Sequence, residues 1–114
     1  MKGKLGDKVR LQHILDSINE IEGYLSNVTV EQFLANSEKH FATIKQIKIV
    51  GEASNALTEE LKSLNPEIPW RSIESFRNSS IHEYFGLNLQ LVWGIAKNDL
   101  PDLKVKIQNL LKSL

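Results

Sequence analysis

Apolar residues recur at steps of three and four along almost the whole chain, and this period limits the fold more than any other feature. Leu11, Ile14, Leu15, Ile18, Ile21 and Leu25 share one helical face, which predicts a first helix from about Asp7 to Ser26. Thr29 then stands as an N-cap with Gln32 at the third helical position, the capping-box pattern, ahead of a short helix that Asn36 and Ser37 interrupt. From Ser37 to about Leu64, a longer face is kept apolar by Phe41, Ile44, Ile47, Val50, Ala53, Leu57, Leu61 and Leu64. Gly51 lies inside it, where glycine costs about 1 kcal/mol relative to alanine, and the expected reason is another helix passing close by. No strand pattern, internal repeat or low-complexity segment competes with this reading.

The clear break is "NPEIPW". Two prolines within four residues end one helix, and Pro69 is expected in the first turn of the next. That helix should run from about Trp70 to Phe85, with Gly86 placed for a left-handed cap. Asn88 can cap a fifth helix, and "NDLP" is expected to turn into a last one carrying Leu103, Ile107, Leu110, Leu111 and Leu114. The chain therefore reads as an all-α bundle of five or six helices in one domain, residues 1–114.

Composition narrows the function classes. Fourteen basic and fourteen acidic residues cancel, so no global field draws in nucleic acid, and any such binding needs a local patch or symmetry. With no cysteine there are no disulfides, thiolate metal sites or cysteine nucleophiles, which fits a cytoplasmic setting. The charged start "MKGKLGDKVR" does not read as a signal peptide, and no apolar run is long enough to span a membrane. No carboxylate cluster or histidine pair stands at ligand spacing, so neither a metal nor another cofactor is expected. His13 and His40 are isolated and read as structural or solvated.

"RNSSIHEYFG", residues 77–86, holds the candidate chemistry. On a straight helix, Trp70, Ile73, Ile81 and Tyr84 fall within roughly 40° of Arg77, which would place a guanidinium in the middle of an apolar face. An unpaired buried charge costs several kcal/mol, so Arg77 needs a carboxylate such as Glu52, a cleft, or a second subunit. His82 lies roughly 140° away on the same wheel, with Asn78 one turn before it and able to orient its ring. Straight geometry does not aim Arg77 and His82 at one point. The reach of arginine, a loosened last turn or a two-fold axis would reconcile them.

This stretch resembles the signature of the HEPN superfamily, an arginine followed after four to six residues by a histidine. Its extension His82-Glu83-Tyr84 is similar to the HepT-like branch. "RLQHILDSINEIEGYL", "IKIVGEASNALTEEL", "NPEIPWRSIESFRN" and "LVWGIAKNDLPDLK" resemble that branch in order and spacing, so the likeness covers nearly the whole chain. Ser79 stands where the family often has a second basic residue.

The resemblance implies a helical homodimer with the two motifs facing across the interface. It also implies metal-independent endoribonuclease activity of a toxin, with Arg77 and His82 catalytic and Asn78 and Ser79 supporting the motif or the RNA. The implied partner is a nucleotidyltransferase antitoxin that silences the toxin by transferring AMP to Tyr84. The residue types suit this chemistry. Histidine can take or give a proton near neutrality, and the planar fork of arginine matches phosphate oxygens. Two further classes remain open: a non-catalytic helical dimer that binds nucleotide or protein, and a structural interaction domain in which Arg77 forms a salt bridge.

Overall fold

The computed structural model describes residues 3–77 and 88–114, and the described residues hold helices and no strand. The first helix, α1, spans Gly3–Tyr24, starting one turn earlier than its apolar stripe requires. It stops where Asn27 takes a left-handed φ of 59°, a conformation asparagine tolerates better than most residues. The capping box then opens α2, Val30–Ala35. Thr29 Oγ1 accepts from the Gln32 amide at 3.1 Å, and Gln32 Oε1 accepts from the Thr29 amide at 2.9 Å. Asn36 closes α2 and caps α3, Ser37–Asn55, its side chain accepting from the Lys39 amide at 3.0 Å.

The long helix expected from Ser37 to Leu64 is two helices. It breaks after Asn55, and α4 spans Glu59–Leu64. The cause is a polar anchor. Thr58 caps α4, accepting from the Leu61 amide, while the buried Asp7 carboxylate accepts from the Thr58 amide at 2.9 Å and from its hydroxyl at 2.6 Å. The chain turns there because the Asp7 carboxylate takes the Thr58 amide and the Thr58 hydroxyl takes the Leu61 amide, two amides that a continuing helix would consume internally.

Helix α5, Trp70–Glu74, follows the proline break. Pro69 sits at the N-cap rather than inside the first turn, and its carbonyl takes the first helical bond, from Ile73 at 3.1 Å. Trp70 Nε1 donates to the Asn65 carbonyl at 3.0 Å and pins the loop. The helix does not continue as one α segment to Phe85: it tightens to a 3₁₀ turn at Ser75–Arg77, beyond which the expected cap at Gly86 lies outside the described residues.

The C-terminal part also departs from expectation. "NDLP" is not a turn. Asn88 caps α6, Leu89–Gly94, as expected, but α6 passes through a π segment, Ile95–Asp99, into α7, Leu100–Ser113, as one rod. Pro101 supplies the reason. Its ring would crowd the carbonyl four residues back and it donates no bond, so the rod widens just before it, with the Leu100 amide reaching the Ile95 carbonyl.

Helix α1 lies at the centre, packed along α3 on one side and α7 on the other. The core joins Leu11, Ile14, Ile18 and Ile21 of α1 to Ile44, Ile47 and Val50 of α3 and to Leu100, Leu103 and Ile107 of α7. Phe33 of α2 and Val92 of α6 close one end, and Trp70 and Ile73 of α5 cover another part. Lys104 meets Glu22 at 2.7 Å across the α1–α7 seam. His40 is buried, its Nδ1 3.4 Å from the Phe33 carbonyl and its ring edge-on to Phe33, which is the structural role read for it. His13 is exposed on α1.

Candidate active site

Of the residues singled out in the motif, Arg77 alone falls within the described part. Asn78, Ser79, His82 and Tyr84 lie outside it. Arg77 ends the 3₁₀ turn and is exposed in the single chain, not sunk in an apolar face. The tighter winding explains the difference. Residues three apart eclipse in a 3₁₀ turn, so Phe76 follows the buried Ile73, while Arg77 follows Glu74 and is carried off the core side. Phe76 accordingly packs against the core and Arg77 does not.

The carboxylate suggested for Arg77 is not its partner: no ion pair joins Arg77 to Glu52 among the described residues. Glu74, the acid one 3₁₀ repeat before Arg77, is already engaged. Its Oε2 accepts from Lys62 Nζ at 2.7 Å, and Lys62 is only 8% exposed. The same ammonium reaches the Asn55 carbonyl at 3.5 Å, so one lysine ties the end of α3, α4 and α5 together just behind the motif. This clamp was not read from the sequence, where Lys62 looks like one more surface lysine. Its one signal was a basic residue in the last turn of α4.

Gly51 fixes the position of the turn. A Cβ built there would lie 2.5 Å from the Arg77 amide nitrogen and 2.8 Å from the Phe76 carbonyl carbon and Cβ. The backbone carrying Arg77 therefore rests directly on the bare Cα of α3, the close approach expected for that glycine. Because the contact is backbone on backbone, the origin of the arginine side chain is set by two packed elements and not by a loop.

A groove between Ile73 and Phe76 on one wall and Leu100 and Leu103 on the other, rimmed by Asp99, Asp102 and Lys106, holds about 200 Å³. That is below the usual size of a small-molecule pocket, roughly 300–1,000 Å³. An exposed guanidinium that no described carboxylate neutralises, on a turn seated against α3, is suited to an extended anionic ligand. Among the described residues no three His, Asp or Glu side chains gather as a metal site would require, and no helix is long and apolar enough to cross a membrane.

Comparison with known proteins agrees with the motif. A "Probable ribonuclease HepT" of Thermococcus cleftensis is 38% identical over 109 residues, covering 96% of this chain and 99% of that protein. The "Putative RNase MJ1380" of Methanocaldococcus jannaschii is 32% identical over 101 residues, 89% of this chain and 93% of that one. A "Gamma-glutamylcyclotransferase and putative RNase MJ0434" of the same organism is 36% identical over 107 residues, which are 94% of this chain and 48% of the longer relative. No solved structure gives a match. Residues 14–110, which include the stretch from Arg77 to Tyr84, match the family model described as Ribonuclease HepT-like, and the chain belongs to that family.

Proposed function

We propose that this chain is a metal-independent endoribonuclease, the toxin of a toxin–antitoxin pair, acting as a homodimer. The observation that carries the reading is the family match across the motif, on a chain whose motif arginine is exposed, unneutralised by any described carboxylate and held by a backbone contact to α3. RNA brings its own nucleophile, the 2′-hydroxyl. His82 takes or gives the proton, and Arg77 stabilises the negative charge that builds on the phosphorus oxygens. One chain offers one motif histidine, and two chains facing each other offer both a base and an acid. Asn78 and Ser79 support the motif or the RNA.

Silencing follows from the same stretch. Tyr84 is seven residues beyond Arg77, so on a helical path it would lie about 10 Å further along the axis on nearly the same face. AMP added to its hydroxyl by a nucleotidyltransferase would place a phosphate within reach of the guanidinium and compete with the RNA phosphate. A non-catalytic binding module is the second reading, and Ser79, in place of a second basic residue, favours it.

Co-expression with the partner enzyme, followed by peptide mass spectrometry, tests the proposal. One or more AMP units are expected on Tyr84, none on Tyr24 and none in Tyr84→Phe. His82→Ala is expected to lose growth arrest and RNA cleavage. Full toxicity in a well-expressed His82→Ala chain would remove the nuclease reading, and retained binding with no cleavage by the parent would favour the binding module.

A further inference from the structure

Residues 39–51 of α3 hold three lysines and no acid, although the chain as a whole is neutral. Phe41, Lys45, Lys48 and Glu52 stand four, three and four residues apart, so they share one face of the helix. Phe41, Lys45 and Glu52 are exposed and Lys48 is half-buried. Neither Lys45 nor Lys48 is paired with a carboxylate among the described residues. Glu38 and Glu52 bound the face at its two ends, and the span between them is basic and aromatic only. Lys39, the third lysine, is turned away and donates to the Tyr24 carbonyl at 3.0 Å.

Phe41 is unusual within this face. It is 57% exposed, yet its ring is braced: the buried His40 meets it edge-on at 4.8 Å and 73°. His40 is held in turn by Phe33, which packs on Trp93. An apolar ring fixed from behind and open in front is a stacking platform. Beside that end of the face, about 60° around the helix from Lys48, the buried Gly51 carries the backbone of Arg77. Ten residues separate Phe41 from Gly51, about 15 Å along the helix. Lys48 is one turn before Gly51.

We propose that this face of α3 is a track for single-stranded RNA that leads to Arg77, with one base stacked on Phe41 and the backbone phosphates following Lys45 and Lys48. The charge is complementary, and the combination of a basic stripe with a fixed aromatic is how single strands are held without sequence reading. The track rests on the ribonuclease reading and adds to it where the substrate lies.

The test uses the full chain and a labelled single-stranded RNA whose 2′-O-methyl groups remove the nucleophile. Affinity is measured across a salt series for the parent, Lys45→Ala/Lys48→Ala, Phe41→Ala and Phe41→Trp. The double lysine variant should flatten the slope of log affinity against log salt by about 1.4, some 0.7 for each phosphate that is no longer neutralised. Phe41→Ala should weaken binding roughly tenfold with the slope unchanged, and Phe41→Trp should restore it. Unchanged slopes and affinities, in a protein that still cuts unmodified RNA, would overturn the track and leave the nuclease reading standing. A parent that neither binds nor cuts RNA would overturn both. If Phe41→Ala instead turns a dimer into a monomer by sedimentation, the face joins two copies of the chain and the track is wrong.

Discussion

Alanine at Gly51 separates the close backbone contact from ordinary helix packing. In an open helix site the change would stabilise by about 1 kcal/mol, because glycine loses more backbone freedom on folding. At Gly51 the new methyl would sit 2.5 Å from the Arg77 nitrogen, whereas ordinary contact begins at 3.4 Å, so the turn must retreat by close to 1 Å. The opposing atoms are mostly backbone and cannot swing aside, which places the cost in the upper part of the roughly 1–3 kcal/mol range for overpacking. The net loss is then about 1–2 kcal/mol, and for a chain this size Tm should fall by about 4–8 °C. Gly94 is the control: a Cβ there meets nothing described within 4 Å, so Gly94→Ala should gain up to about 1 kcal/mol. The retreat also moves Arg77, and a displacement of that size can lower the cleavage rate by up to about 100-fold. Thermal melts and single-turnover RNA cleavage on both variants give the answer. If Gly51→Ala melts as high as Gly94→Ala and cuts at the parent rate, the contact does not position the arginine.

Three further outcomes are expected. Asp7→Ala should cost about 3 kcal/mol in urea unfolding, since a buried carboxylate that accepts two hydrogen bonds from Thr58 is removed together with the start of α4; a cost under about 1 kcal/mol would contradict the anchor. Lys62→Met should destabilise by about 2 kcal/mol, less than a fully buried pair because Glu74 is 24% exposed, and a double-mutant cycle with Glu74→Gln should show coupling above about 0.5 kcal/mol. Arg77→Ala should leave stability within about 0.5 kcal/mol, as for an exposed residue, while removing RNA cleavage, and Arg77→Lys should be equally stable and only partly active.

Periodicity carried the all-α class, because buried stripes such as Leu11–Ile14–Ile18–Ile21 repeat with the helical period wherever a helix faces the core. The capping box at Thr29 was legible for the same local reason: both of its partners are three residues apart. What escaped were features set by distant residues or by backbone winding. The break before Thr58 depends on Asp7, far earlier in the chain. The π segment before Pro101 lets a rod pass where a proline signals a stop. The 3₁₀ winding at Ser75–Arg77 turns Arg77 outward, against a wheel drawn for a regular α-helix. Gly51 lies between these cases. A glycine in a helix shows that something comes close, but only the packed fold shows that it is the backbone of Arg77. The motif itself was found through its resemblance to a family, and the residues that complete it lie beyond the described turn.

The proposed chemistry is cleavage by the RNA's own 2′-hydroxyl with His82 and Arg77 and no metal. Incubating the purified chain with RNA in excess EDTA, and identifying the new ends by mass spectrometry, addresses it without an intermediary. The expected products carry 2′,3′-cyclic phosphate and 5′-hydroxyl ends, formed in EDTA by the parent and absent with His82→Ala. Cleavage that EDTA stops, ends bearing a 5′-phosphate, or an undiminished yield from His82→Ala would contradict that chemistry.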